Sequence, residues 1–419
     1  MARTSNRDQD NSVFDKFRVF LLGLGHFTVD VYANMLPPLL PVFQAMYSLS
    51  YAATAGLTSI FSITSTLIQP VFGYIADRYG KKWISALGIA WCAVLMCALG
   101  IAPGYAWIVA IVTLAGIGSA MFHPQASAMV PKVSGNRKGL GVAVFSSGGS
   151  LGYSIMPLVA VIIVGVFGLE SLIWLAGPGI IVAVLVYIYA PDMEQDCKDP
   201  DKIINLPKLM QSMSEVKGPL TTLVTVVSLR NWVSIGMITF IPLYFVGRFN
   251  GWTIMGYDIT YMAAAITLFV FVFSNAIGGI IGGWASDMFG KKLVLILSMF
   301  ATVPFIYLAF NCPDWLVWPA VAMAGALIYA SFSPMVVQAQ TLLPRSQGMA
   351  GGLIMGFANG VGGLLVLLTG IISDHFGIYA GVMSLLAILV AASGLAILLP
   401  GDGEEKINTL QAGRAPSAR

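Results

Sequence analysis

Charge is what this sequence has least of. Only 10% of its 419 residues are charged, 57% are hydrophobic, and the mean hydropathy is +0.83. Soluble domains carry roughly a quarter of their residues charged, so this chain has too little polar surface for water and its solvent is a lipid bilayer. Cysteine is scarce as well. Cys92, Cys97, Cys197 and Cys312 show no metal-ligand or redox spacing and read as free thiols. The sequence holds no phosphate-cradling Gly-Lys-Ser/Thr loop and no nucleophile beside a base. With those absences go an enzyme, a cofactor, a metal centre and nucleotide hydrolysis as an energy source. A cleaved secretory leader is also unexpected, because residues 1–16 are polar and the apolar run that follows is too long for one.

What is present is a series of apolar runs, each able to cross about 30 Å of hydrocarbon. They predict spans near 17–46, 51–76, 83–102, 106–131, 139–165 and 171–190, then 220–247, 257–286, 293–311, 315–343, 348–373 and 378–399. The polar stretch 191–219 is the expected cytoplasmic linker, with a short surface helix from Asn205 to Val216. The expected organisation is an N-terminal tail 1–16, a six-helix bundle 17–190, the linker, a second bundle 220–399 and a tail 400–419. Of the 22 Lys and Arg residues, all but Arg230 and Arg248 fall on one side of this arrangement. Basic loops stay in the cytoplasm, which puts both termini there and makes the plasma (bacterial inner) membrane the expected location. The formal net charge of +3 is then a topology signal and needs no nucleic-acid partner.

The two halves echo each other. Gly73-Tyr-Ile-Ala-Asp77-Arg78-Tyr-Gly80-Lys81-Lys82 returns 210 positions on as Gly283-Trp-Ala-Ser-Asp287-Met-Phe-Gly290-Lys291-Lys292. At the same offset, Phe122-His123-Pro124 faces Phe332-Ser333-Pro334. Internal repetition on so apolar a chain marks a secondary transporter. The first stretch resembles the loop signature of the major facilitator superfamily. That resemblance implies an all-α membrane protein, with 12 transmembrane helices in two six-helix bundles related by a pseudo-two-fold repeat. It also implies a conformational latch formed by Gly73, Asp77, Arg78, Gly80 and Lys81, and more weakly by Asp287, Gly290 and Lys291, where Met288 replaces the Arg. Asp77 would sit against the positive end of the eleventh helix, starting near Gly348.

A narrower resemblance rests on Gly118-Ser-Ala-Met-Phe122-His123-Pro124, Ser134-Gly135-Asn-Arg137-Lys-Gly139-Leu and Gly148-Gly149-Ser-Leu-Gly152. Gln340-Thr-Leu-Leu343-Pro344, Gly351-Gly352-Leu and Gly360-Val-Gly362-Gly363 extend it, together with His26 and Asp30. These look like the fosmidomycin-resistance family of drug exporters. One departure bears on direction: Met156-Pro157 stands where that family has Gly-Pro in the fifth helix.

Ionisable residues at membrane depth cost about 2.5–3.5 kcal/mol each on insertion scales, and so they point to function. Asp30 is the one carboxyl deep in any span, and His26 lies one helical turn away on the same face. The pair is read either as a proton-coupling site or as a hydrogen-bonded structural pair. His123, preceding Pro124, either satisfies the carbonyl that the proline frees or relays protons. Arg230, about ten residues into the seventh span, is expected to face the central cavity. There it would hold an anionic substrate, pair with Asp30 across the two halves, or snorkel to headgroups. Asn359, Tyr244 and Tyr329 complete the expected substrate-binding set, while Gln338, Gln340 and Asn275 read as links between helices. The expected function is proton-coupled export of a small drug-like or anionic compound by alternating access, from a monomer whose partners are substrate, protons and the bilayer. The alternatives are proton-coupled uptake of an organic acid, sugar or metal chelate, and a membrane sensor or scaffold that transports nothing.

Overall fold

The computed structural model describes residues 14–79, 81–192, 211, 213–344 and 347–401, apart from the side chains of residues 76–78, 347 and 348. Twelve helices in it are long and apolar enough to span a membrane. They are α1 (Lys16–Tyr47), α2 (Tyr51–Ile75), α3 (Trp83–Ile101), α4 (Tyr105–Val133), α5 (Lys138–Phe167) and α6 (Leu169–Tyr189), followed by α7 (Lys217–Arg248), α8 (Thr260–Phe289), α9 (Lys291–Asn311), α10 (Asp314–Leu342), α11 (Met349–Phe376) and α12 (Ile378–Ala396). The chain forms two compact units: Met1–Ile203 with Phe245–Phe269, and Ile204–Tyr244 with Val270–Arg419. Of the expected surface helix, residues 205–210 and 212 lie outside the description, and 211 and 213–215 are helical.

Between α7 and α8 runs a feature that hydropathy does not show, an antiparallel hairpin of β1 (Thr253–Ile254) and β2 (Tyr257–Asp258). Its turn residues Met255 and Gly256 both have positive φ (50° and 83°), as a tight two-residue turn requires. Asp258 accepts from the Thr260 backbone N–H at 2.8 Å where α8 begins, and that bond holds its carboxyl below the ordinary value.

Several spans are interrupted, and proline accounts for most of the breaks. In α1 the helix stops at Asn34 and restarts at Leu36, ahead of Pro37 and Pro38. In α10 it breaks at Ser331, three residues before Pro334. A proline has no N–H for the preceding turn and its ring crowds that turn's carbonyl. A wide π turn, Ile63–Leu67, precedes Pro70 in α2, and a second, Leu353–Ala358, follows Gly351 and Gly352 in α11. Hydrocarbon offers no replacement hydrogen bonds, so other protein groups take up the freed backbone.

In the first unit α1 lies directly on α5. A Cβ on Gly23 would stand 3.3 Å from the Val144 carbonyl oxygen, and one on Gly148 or Gly152 would overlap the Gly23 or Phe27 carbonyl. Small residues four apart thus allow backbone-to-backbone contact. The same unit is closed at one end by its basic residues. Arg18 Nε donates to the Tyr189 carbonyl (3.1 Å), Lys82 Nζ to Ile188 (3.2 Å) and Lys132 Nζ to Asp192 (3.0 Å). Cations from α1, α4 and the residue preceding α3 therefore gather on the carbonyl end of α6 and just beyond it, where the helix dipole favours them.

Gly148→Val is expected to force α1 off α5 and to destabilise the protein by about 1–3 kcal/mol. The readout is a lowered helix-melting temperature in detergent. Gly165→Ala, on the same helix but with nothing within 4 Å of the new methyl, serves as the neutral control.

Candidate functional site

Three ionisable side chains of the first unit converge. His26 and Asp30 come from one face of α1, with His26 Nε2 3.3 Å from Asp30 Oδ2. α4 brings His123, whose Nε2 lies 3.6 Å from the other carboxylate oxygen, Oδ1. The side chains are 15–26% exposed, so the cluster is partly open. His123 thus turns to Asp30, and the two imidazoles meet edge to face with centroids 5.2 Å apart. Among the described residues no Lys or Arg pairs with Asp30.

The geometry constrains the His26 tautomer. His26 Nδ1 lies 2.8 Å from the Phe145 carbonyl of α5, which can only accept, so Nδ1 carries hydrogen. Nε2 then has either a lone pair or a second hydrogen. A hydrogen bond to Asp30 needs either the imidazolium with a carboxylate, or the neutral ring with a protonated carboxyl.

Gly149 makes this arrangement possible. In a helix the Cβ at position i+4 leans back over the carbonyl at i, and Gly149 is i+4 to Phe145. A Cβ there would lie 2.5 Å from His26 Cε1 and Nε2 and 2.7 Å from Asp30 Oδ2. The missing side chain is the opening through which the ring reaches the helix backbone. The Phe145 ring then stacks on His26 at 4.2 Å. The sequence displays Gly148-Gly149 as a motif, but nothing local says which helix each glycine faces, so Phe145 and Gly149 are additions from the structure.

Arg230, in the second unit, is only 2% exposed. The sequence expects it to face a cavity; in the structure it holds the broken end of α10. Its Nε and Nη2 donate to the Ile328 carbonyl (3.2 and 2.9 Å), Nε also reaches Ser331 Oγ (3.2 Å), and Nη1 donates to Asn231 Oδ1 (2.8 Å). The guanidinium carbon lies 4.8 Å from the Tyr329 ring centroid, in cation–π range. Asn231, though adjacent in sequence, thus accepts from the same guanidinium. The Phe332-Ser333-Pro334 echo was the local sign of this break.

Of the remaining expected substrate residues, Tyr244 packs edge-on against Phe310 with centroids 4.8 Å apart. Asn359 is half-buried at the start of the last helical segment of α11, and its side chain makes no hydrogen bond to a described residue. With its amide turned so that the nitrogen faces them, Asn275 donates to the Gly325 and Phe271 carbonyls (2.9 and 3.1 Å), and Gln338 donates to Pro400 (3.2 Å), which makes both links between segments.

The proposed latch is seen only in part. The side chains of Asp77 and Arg78, and Gly80 altogether, lie outside the described residues. A Cβ on Gly73 would rest 3.8 Å from Pro124 Cβ, an ordinary contact. Lys81 stands in the link between α2 and α3. In the second copy Gly290 has φ 93°, the left-handed geometry a tight turn asks of glycine. Lys291 Nζ reaches Thr341 Oγ1 at 3.2 Å, and Asp287 is exposed.

With the architecture and these clusters in place, comparison with known proteins is informative. The family model described as Major Facilitator Superfamily matches residues 22–366. The fosmidomycin resistance protein of Escherichia coli (strain K12) is 28% identical over 388 residues, covering 91% of this chain and 92% of that protein. The multi-drug resistance efflux pump PmrA of Streptococcus pneumoniae serotype 4 is 27% identical over 170 residues, covering 39% and 42%. In fold, the chain is similar to a bacterial homolog of the human lysosomal transporter Spinster in an inward-facing, unoccupied conformation. The TM-score is 0.78 at 16% identity, covering 97% of this chain and 99% of that one. Twelve membrane-crossing helices and a family match over most of the sequence agree: the chain belongs to the Major Facilitator Superfamily, as a multi-pass membrane transporter and not an enzyme.

Proposed function

We propose that this transporter exports a small organic compound, drug-like or anionic, in exchange for protons, from a bacterial inner membrane with both termini in the cytoplasm. The carrying observation is Asp30: a partly exposed carboxyl at membrane depth, flanked by two imidazoles whose Nε2 atoms lie 3.3 and 3.6 Å from its two oxygens. A carboxyl in that setting is costly unless it is used, and taking and giving up a proton as access alternates is a use that fits its neighbours. The names of the efflux relatives, and the restriction of nearly all basic residues to one side of the spans, support the direction and the orientation.

In the cycle, a proton arriving from outside is taken by the His26–Asp30 pair, with His123 on the second carboxylate oxygen. Compound is released outward in the same exchange, and the proton is later lost to the cytoplasm. Arg230 and Tyr329, with Tyr244 and Asn359, form the substrate-recognition group of the second unit. Three acceptors occupy three of the five guanidinium N–H groups, and the one remaining on each terminal nitrogen would meet an anionic group only when alternating access opens this buried side chain. The Asp77 and Asp287 loops latch the cytoplasmic side, and a monomer supplies every group the cycle needs.

A resistance panel in an efflux-deficient bacterium tests this, with fosmidomycin, other small anions and lipophilic cations as compounds. Wild type is expected to confer resistance that a protonophore abolishes, and Asp30→Asn, at matched membrane levels, to fall to the empty-vector value. Undiminished resistance in Asp30→Asn would remove Asp30 as the coupling group. Sensitisation by the wild type would instead point to uptake.

Arg230→Lys keeps the charge but cannot bridge Ile328, Ser331 and Asn231 at once. Resistance to anionic compounds should drop at least about tenfold, with resistance to cations retained. An equal loss for all compounds would assign Arg230 to holding α10 alone.

A further inference from the structure

We propose that His26, Asp30 and His123 form a binding site for a divalent transition-metal ion of the Zn2+ class. The inference uses the residues of the coupling site but does not depend on proton coupling. Sharing a proton needs one imidazole and one carboxyl, and His26 with Asp30 is sufficient. A second imidazole on the other oxygen of the same carboxylate goes beyond that need, and two imidazoles with one carboxylate are a familiar donor set for such ions.

The spacing suits an ion. Tetrahedral Zn2+ with bonds of about 2.0–2.1 Å sets neighbouring donor atoms about 3.3 Å apart. His26 Nε2 stands 3.3 Å from Asp30 Oδ2 and His123 Nε2 stands 3.6 Å from the other oxygen, Oδ1; one donor atom from each residue lies within 4.8 Å of the others. Bringing the widest pair to the tetrahedral spacing takes a closure of up to about 1.5 Å.

The surroundings are those of a ligand site. A metal-bound imidazole characteristically donates its other N–H to a carbonyl or carboxylate, which fixes the ring and its tautomer. His26 does this through Nδ1 to Phe145, so the nitrogen facing Asp30 is the one able to bind an ion. Gly149 keeps the α5 side of the cluster clear, where a single methyl would press on both His26 and Asp30. Partial exposure of all three side chains provides an entry route. Three protein donors leave a coordination position for water or an anionic group, and the imidazoles select against Mg2+ and Ca2+, which prefer all-oxygen sites.

The test uses full-length protein without a polyhistidine tag, purified in detergent and stripped with a chelator. Calorimetric titration with Zn2+ is expected to show one ion per chain, and Co2+ to develop the visible absorption of a low-symmetry site. His26→Asn and His123→Asn should each weaken Zn2+ binding at least tenfold, whereas His375→Asn, on an exposed residue elsewhere, should not. Gly149→Ala retains every ligand and should also weaken it, which decides the matter if a histidine variant does not fold. No Zn2+ bound by the wild type, or binding unaltered in both His123→Asn and Gly149→Ala, overturns the proposal. Resistance assays separate it from proton coupling. Absent binding with efflux lost in Asp30→Asn removes the metal site alone. Binding present with efflux intact in Asp30→Asn keeps the metal site and removes the coupling role.

Discussion

Hydrocarbon cannot hydrogen-bond, and every polar group at membrane depth must find its partner within the protein. The structure is largely an answer to that constraint. Prolines open α1 and α10, and the end of the interrupted segment in α10 becomes a resource: the carbonyl of Ile328 is what Arg230 holds. In α5 the carbonyl of Phe145, although part of an intact helix, is made available to His26 by the bare position at Gly149. Each deep ionisable group is thus met by a backbone carbonyl of another helix, at a break for Arg230 and on an intact helix for His26.

Close helix contact is the second requirement. Side chains cannot be driven together by exclusion of water when the surroundings are as apolar as they are, so contact area and backbone approach carry the association. The α1–α5 pair shows the result. Gly23, Gly148 and Gly152 bring two backbones together, and that proximity sets His26 at hydrogen-bonding distance from a neighbouring helix. Packing and chemistry are set by one run of small residues.

Much of this is written locally in the sequence. The spans are legible because hydropathy is a property of the residues themselves, and the observed ends mostly fall within about three residues of those expected. His26 and Asp30 are legible together because a helix repeats every 3.6 residues. Legibility fades where an answer depends on another helix. His123 announces itself beside Pro124, yet only the α1–α4 contact shows that it turns to Asp30 and not to the backbone. Arg230 stands out as a deep charge, but apart from the adjacent Asn231 its acceptors lie about a hundred positions along the chain, in a break whose exact place the prolines do not give. The hairpin at Thr253–Asp258 escaped because four strand residues leave no periodicity to read.

The basic residues that gather at the end of α6 have a consequence for biogenesis. Arg18, Lys82 and Lys132 belong to the basic residues that gather on one side of the spans, and the first unit uses the same side chains to close its last helix. A copy in which α1, α3 or α4 inserted the other way round relative to α6 would leave the carbonyl end of α6 without those cations. Orientation and folding of this half are thereby tied to one another, so that a misinserted chain is also a poorly folded one, open to the proteases that clear the membrane.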